Sequence, residues 1–86
     1  DPGGAAGTTP ADPAGEAHRY AQLKAWRLAE AKRQALPAYV ILHDATLAEI
    51  ARRQPRDLDT LAEIPGIGAR KLERYGAGLL EVIGSD

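Results

Sequence analysis

Cysteine is absent from the 86 residues of this chain, and no apolar run approaches the ~20 residues that a membrane-spanning helix needs. Without cysteine there is neither a disulfide framework nor a thiolate metal site, which fits a reducing cytosol. We therefore expect a cytoplasmic protein with no membrane partner.

An excess of charge of one sign is also lacking. The formal net charge is −1, which argues against a strongly basic nucleic-acid binder. Residues 1–15 contain two Asp and no Lys or Arg, whereas residues 16–86 hold all 11 basic residues and the other 10 acidic ones. The second part is nearly neutral, so any electrostatic binding site must be a local patch.

The N-terminal stretch DPGGAAGTTPADPAG has no large apolar residue. Such a composition cannot bury enough surface to offset the entropy of ordering the chain. We interpret residues 1–17 as a flexible linker and residues 18–86 as a helical domain, as in one module of a larger protein. The abundance of Ala and the preference for Arg over Lys indicate a bacterial genome rich in GC.

The remainder predicts an all-α fold, a compact bundle of five to six short helices. The first helix begins near Glu16 and should place Leu23, Trp26 and Ala31 on its inner face. PAYVILHD has no partner strand, so we interpret it as a buried connector. Two short helices follow, DATLAEIARRQP and RDLDTLAEI.

Caps and stops divide these helices. Asp44 or Thr46 can cap the second helix, and Thr46 with Glu49 has the spacing of a capping box. Asp57 is a plausible cap for the next helix, which should turn Leu58 and Leu61 inward. After the turn, ARKLERYG should end at Gly76, and AGLLEVIG should close the bundle.

The stretch EIPGIGARKLERYG has two glycines, Gly66 and Gly68, directly before a helix. The free N–H groups and the positive dipole end of that helix make an anion site, as in the hairpin of helix-hairpin-helix DNA-binding elements. Alternatively, the glycines only permit close helix packing between buried Ile64 and Ile67. The cationic side chains within the first two turns are Arg70, Lys71 and Arg74.

Outside this turn, Lys32 and Arg33 stand at the end of the long helix, where they can be ordinary surface residues. Tyr39 could stack a nucleobase or be a ring at the edge of the core. His18 and His43 have no metal-ligand spacing, and no nucleophile and base stand in a recognisable pattern. We expect no catalytic residue, no metal and no cofactor.

Taken together, residues 20–83 resemble an HRDC domain, the helicase-and-RNase-D C-terminal module. The matching residues on the first helix are Leu23, Trp26, Arg27 and Ala31. Further matches are PAYVI at 37–41, DATL at 44–47, Ile50-Ala, Pro55, IPGIG at 64–68, Lys71-Leu and Tyr75-Gly.

The resemblance implies a helical bundle that assists a RecQ-type DNA helicase or RNase D without a motor of its own. It implies weak binding of single-stranded or branched DNA in repair and recombination, by a monomeric domain associated with the nucleoid. Other members contact domains of the parent or a partner protein, so an interaction module remains the alternative. The predicted DNA-binding residues are Lys32, Arg33, Tyr39, Gly66, Gly68, Arg70, Lys71 and Arg74.

Overall fold

In a computed structural model of the chain, residues 13–84 are described and form five helices, with no strand among them. The helices are α1 (Pro13–Gln34), α2 (Ala38–Ile41), α3 (Asp44–Arg53), α4 (Leu58–Ala62) and α5 (Ala69–Gly84). The predicted all-α bundle is confirmed, although α1 and α5 are long. Most of the predicted linker, residues 1–12, lies outside the described residues, whereas residues 13–17 belong to α1.

One face of α1 carries its contacts with the bundle. Residues spaced by four lie on the same side of a helix, and here such a row is buried. Of the residues that we predicted to face inward, Leu23 and Ala31 are buried and Trp26 packs against the core from its edge. Because α1 contacts α2, α3 and α5, the other elements assemble around it. The buried row is Arg19, Leu23, Arg27 and Ala31.

The two arginines of this row bind the ends of other helices. Arg19 Nε donates to the carbonyl of Ala51 at 2.8 Å, in the last turn of α3. Arg27 Nη1 donates to the carbonyl of Leu42 at 2.9 Å. Carbonyls at a helix end lack intrahelical partners, so each guanidinium offsets its own burial by satisfying one of them.

Residues 38–41 form one helical turn, α2, where we predicted a connector. A helix of four residues has few hydrogen bonds of its own, here from Val40 N to Pro37 O at 3.1 Å and from Leu42 N to Ala38 O at 3.4 Å. The carbonyls of Val40 and Ile41 instead accept from Lys71, and that of Leu42 accepts from Arg27. Cationic side chains from α5 and α1 thus stabilise the turn.

The predicted capping box at the start of α3 is wrong. The N-cap residue is His43, and no side chain caps it. Thr46 is buried and donates its hydroxyl to the carbonyl of Pro65, while Glu49 binds Arg52 on the surface. Because the Thr46 hydroxyl is hydrogen-bonded to the turn before α5, it does not cap the helix.

The cap of α4 is as predicted. Asp57 Oδ1 accepts from the backbone N–H of Thr60 at 2.8 Å. Leu61 is buried, as expected, but Leu58 is 46% exposed.

The predicted stop at Gly76 is also wrong, because α5 continues to Gly84. Gly76 is buried inside the helix, and a Cβ there would lie 2.7 Å from Leu58 Cδ2. The missing side chain therefore lets α4 approach α5 closely. A glycine in a helix costs about 1 kcal/mol relative to alanine, which the packing of α5 against α1 and α4 outweighs.

Candidate nucleic-acid interface

The turn between α4 and α5 has the geometry of a type II turn. Pro65 and Gly66 occupy its central positions, and Ile67 N donates to Ile64 O at 3.1 Å. This turn requires a positive φ at its third residue, and Gly66 has a φ of +96°. A Cβ on Gly66 would also clash with Thr46 Oγ1. The fold alone therefore requires this glycine, with Ile64 and Ile67 buried beside it.

Gly68 is different, because a Cβ there would meet nothing within 4 Å. It precedes the first residue of α5, and its carbonyl accepts from Leu72 N at 2.9 Å. The N–H groups of the first helical turn have no partner within a helix. Gly68, Ala69 and Arg70 are exposed, so these N–H groups and the positive end of the helix dipole face an open surface.

A groove lies between α5 and α2, beginning at Arg70 in the first turn of α5, and we call it the α2–α5 groove. Arg74 and Tyr75 also line an adjoining depression together with Arg33 and Gln34. The structure thus joins the cations of α5 to the end of α1, as the candidate site requires. The groove is lined by Leu36, Val40, Arg70, Lys71, Glu73, Arg74 and Tyr75.

The cations of this surface differ in how far their charge is already compensated. Arg70 and Arg74 are exposed and form no ion pair within residues 13–84. Arg33 binds Glu30, and this contact holds the pKa of the Glu30 carboxyl below its usual value. Of these three arginines, only Arg33 thus has its charge compensated by a carboxylate within residues 13–84.

Lys71 is held by the protein itself. Its ammonium donates to the carbonyls of Val40 and Ile41, both at 2.7 Å, and its side chain is half-buried. Lys32 is exposed at the end of α1, but it lines neither the groove nor the adjoining depression. Of the predicted cations, Arg70 and Arg74 are thus the ones that line the groove, are exposed and form no ion pair within residues 13–84.

Tyr39 lies on α2 and is 64% exposed, but it does not itself line the groove. Its ring stacks on that of His43, with centroids 6.5 Å apart and an interplanar angle of 22°. The next residue, Val40, lines the groove. An exposed ring can stack a nucleobase, and the ring is not part of the core.

The floor of the groove is formed by the buried Tyr75, which was not among our predicted DNA-binding residues. Its ring meets Trp26 edge to face with centroids 5.6 Å apart. Its hydroxyl accepts a hydrogen bond from Gln34 Nε2 at 3.0 Å. We did not predict the apolar lining residues Leu36 and Val40 from the sequence. The signal in the sequence was the apolar pair Leu36 and Val40 around Pro37. Without knowledge of their exposure, such residues are assigned to the core.

A second groove lies on the other side of Arg70, between α4 and α5, and we call it the α4–α5 groove. It is mainly apolar and includes the half-exposed Leu58. Its lining residues are Leu58, Ala69, Arg70, Leu72, Glu73 and Ala77.

Residues 13–84 contain no helix that is both long and apolar enough to cross a membrane. Nor does this described part hold a group of three or more His, Asp or Glu side chains that could bind a metal ion.

Comparison with known proteins gives related modules in DNA helicases and a ribonuclease. The ATP-dependent DNA helicase UvrD2 of Mycobacterium tuberculosis is 55% identical over 62 residues, 72% of this chain and 9% of that protein. The ATP-dependent DNA helicase RecQ of Pasteurella multocida is 36% identical over 64 residues, 74% of this chain and 10% of that protein. Ribonuclease D of Gluconacetobacter diazotrophicus is 40% identical over 62 residues, 71% of this chain and 16% of that protein. The chain therefore spans only a small part of each relative.

A solved structure has the same fold. D. radiodurans RecQ HRDC domain 3 matches with a TM-score of 0.79 and 37% identity, over 81% of this chain and 92% of that one. The sequence pattern of the HRDC domain also matches residues 16–83, nearly all of the described helices. The chain belongs to the HRDC domain family.

Proposed function

We propose that this HRDC domain is an auxiliary module of an ATP-dependent DNA helicase, and that it binds single-stranded or branched DNA weakly. It helps to target or regulate its parent enzyme in DNA repair and recombination, and performs no reaction itself. The helicase relatives support this parent. Their identities, 55% for UvrD2 and 36% for RecQ, favour a parent of the UvrD2 kind over the RecQ-type parent that we expected. A ribonuclease D parent is the alternative.

The observation that carries the proposal is the α2–α5 groove at the start of α5. Arg70 and Arg74 line it and have no acidic partner within residues 13–84. The open helix start at Gly68 adds N–H donors for a phosphate. Tyr39 adds an exposed ring for a base. Phosphate donors and a stacking ring are the two components of single-strand binding sites.

The small number of free cations predicts weak, salt-sensitive binding. If the domain contacts three phosphates of a single strand, log affinity should fall with log salt concentration with a slope of about −2, since each phosphate contributes about −0.7. Glu73 in the groove and the near-neutral charge of residues 16–86 limit the affinity further. Binding should therefore be measurable at low salt and almost lost at physiological salt.

Titration of a labelled oligo-dT with the 86-residue chain tests the proposal. Arg70→Gln and Arg74→Gln should each lower the affinity at low salt by about threefold to tenfold and reduce the magnitude of the salt slope. Arg56→Gln is the matched control, because Arg56 is exposed but lies outside the groove. Absence of saturable binding by the wild-type chain at low salt would overturn the proposal.

The alternative function is docking to another domain of the parent or to a partner protein. The mainly apolar α4–α5 groove favours it, because apolar surface of this kind is suited to protein contacts. Leu58→Asp introduced into the full-length parent separates the two functions. A change in the parent's activity, with oligonucleotide binding by the domain intact, supports docking. Unchanged activity on every DNA substrate counts against it.

A further inference from the structure

The hydrogen bonds of Lys71 point to a role that differs from that of its neighbours on α5. Two of the three donors of its ammonium are taken by the carbonyls of Val40 and Ile41, at 2.7 Å each. Its side chain is half-buried, whereas those of Arg70 and Arg74 are exposed. A lysine that moved to a phosphate would leave these two carbonyls without their partner.

Those carbonyls belong to the segment that carries the exposed ring. Tyr39 is the second residue of α2, directly before Val40. The four-residue helix has few backbone hydrogen bonds, from Val40 N to Pro37 O at 3.1 Å and from Leu42 N to Ala38 O at 3.4 Å, so contacts from other segments add to its stability. Val40 and Tyr39 are both exposed, and only Ile41 of this helix is buried. The segment is held by buried Ile41, by Ala38 at the edge of the core and by the bonds to its carbonyls, and the Tyr39 ring also stacks on His43. The contacts of Lys71 are thus one of the supports that set the position of the ring.

We infer that Lys71 is a positioning residue, which caps the end of α2 and so helps to fix the position of the Tyr39 ring, and that it is not a phosphate ligand. This inference rests on the proposed function, since it assigns Tyr39 the stacking of a nucleobase. Arg27 supports the same segment from α1 through the carbonyl of Leu42. Phosphates are then left to Arg70, Arg74 and the helix start at Gly68.

Variants of Lys71 and Arg70 should lose DNA affinity in different ways. Lys71→Met keeps the aliphatic stem and removes the ammonium. It should lower oligo-dT affinity about fivefold, within the range that one stacked base contributes, while the salt slope stays at the wild-type value. Arg70→Met should instead reduce the magnitude of the salt slope by about 0.7.

A double-mutant cycle with Tyr39→Ala shows whether Lys71 acts through the ring. If it does, Lys71→Met costs little further affinity once Tyr39 has been replaced. A merely structural role would lower the affinity equally in both backgrounds. An equal loss in both backgrounds, or a salt slope reduced as in Arg70→Met, would overturn the inference.

A measurement on the wild-type chain covers the case in which Lys71→Met does not fold. The ¹⁵N-detected signal of the Lys71 ammonium should be protected from exchange with water, and addition of oligo-dT should leave it in place. A signal that shifts or loses its protection on binding would contradict the inference while leaving the proposed function intact. If the wild-type chain binds no DNA at all, the proposed function fails and the inference with it.

Discussion

The two glycines before α5 have separate roles. Gly66 has a positive φ and lies close to Thr46, so a side chain there would be strained and would clash. Gly68 has neither constraint. The sequence left two interpretations open, an anion site or close packing. At the scale of single residues the packing interpretation holds for Gly66, and the anion site stays a prediction for Gly68. Sequence alone could not separate them, because φ and the neighbour across the turn are tertiary properties.

Gly66→Ala should destabilise the fold by about 2 kcal/mol or more, since it combines a left-handed backbone with a clash against the Thr46 hydroxyl. Urea unfolding followed by circular dichroism measures the loss. Gly68→Ala is the matched control and should cost less than about 1 kcal/mol. Equal losses at the two positions would contradict the description of the turn.

Gly68→Asp should leave the fold as stable as the wild type, or more stable by a few tenths of a kcal/mol, because aspartate is a good N-cap and has room there. Its carboxylate would occupy the helix start and repel phosphate, so oligonucleotide affinity should fall about tenfold. Gly68→Ser is the neutral control and should lose less. Wild-type affinity in Gly68→Asp would exclude the helix start from the DNA site.

At the scale of helices, periodicity and caps predicted most of the elements. Apolar spacing on α1 and the Asp57 cap of α4 lie within single segments, so the sequence contains them. The course of α2 and the continuation of α5 through Gly76 depend on Lys71, Arg27 and close packing from other segments. Local signals do not include such contacts, and those predictions were wrong or incomplete for that reason.

The end of α1 offers a test of local strain. Ala35 follows the helix with a φ of +57°, and Leu36 N donates back to Ala31 O at 2.9 Å. Glycine is the residue that normally takes this position, so Ala35→Gly should stabilise the domain by about 0.5–1 kcal/mol. Ala29→Gly, at an exposed site inside α1, should destabilise it by about 1 kcal/mol. The melting temperatures of both variants test this prediction. A lower melting temperature for Ala35→Gly as well as for Ala29→Gly would contradict it.

The contact between α1 and the start of α3 predicts a dependence on pH. The hydrogen bond and charge of Arg27, 2.6 Å from Asp44, hold the pKa of that carboxyl below its usual value in the folded state. A carboxyl with a depressed pKa contributes stability above its unfolded pKa and loses it as the pH falls through its folded pKa.

The melting temperature of the wild type should therefore fall between neutral pH and about pH 3. Asp44→Asn should melt lower than the wild type at neutral pH and approach it in acid. Glu81→Gln, at an exposed site on α5, is the control and should follow the wild-type profile. A difference between Asp44→Asn and the wild type that stays constant across this range would argue against the ion pair.

At the scale of the whole molecule, one small core supports every feature of the surface. A chain of this size is stable by roughly 4–13 kcal/mol, at about 0.05–0.15 kcal/mol per residue. The largest side chains without exposed surface include Leu23 on α1, Leu47 on α3 and Leu79 on α5. Tyr75 of the groove belongs to this core, so the geometry of the groove depends on it.

Leu23→Ala should cost about 2–5 kcal/mol, a large part of the total. Calorimetry or urea unfolding should show a markedly less stable domain, with DNA binding lost in proportion to the unfolded fraction. Leu28→Ala on the same helix is the control, since Leu28 is 51% exposed, and it should change stability by less than about 0.5 kcal/mol. Similar losses in the two variants would contradict the assignment of the core face of α1.

Because the two glycines have different roles, they should also accept different sets of residues on mutation. A library of variants sorted only for soluble, folded protein should keep Gly66 almost without exception, because every other residue must take a left-handed backbone and displace Thr46. The same sort should accept many residues at Gly68. If the library is sorted for retention on immobilised oligonucleotide, acidic residues at Gly68 should disappear from the survivors. The difference between the two sorted populations would map the DNA-contacting surface without any knowledge of the parent enzyme.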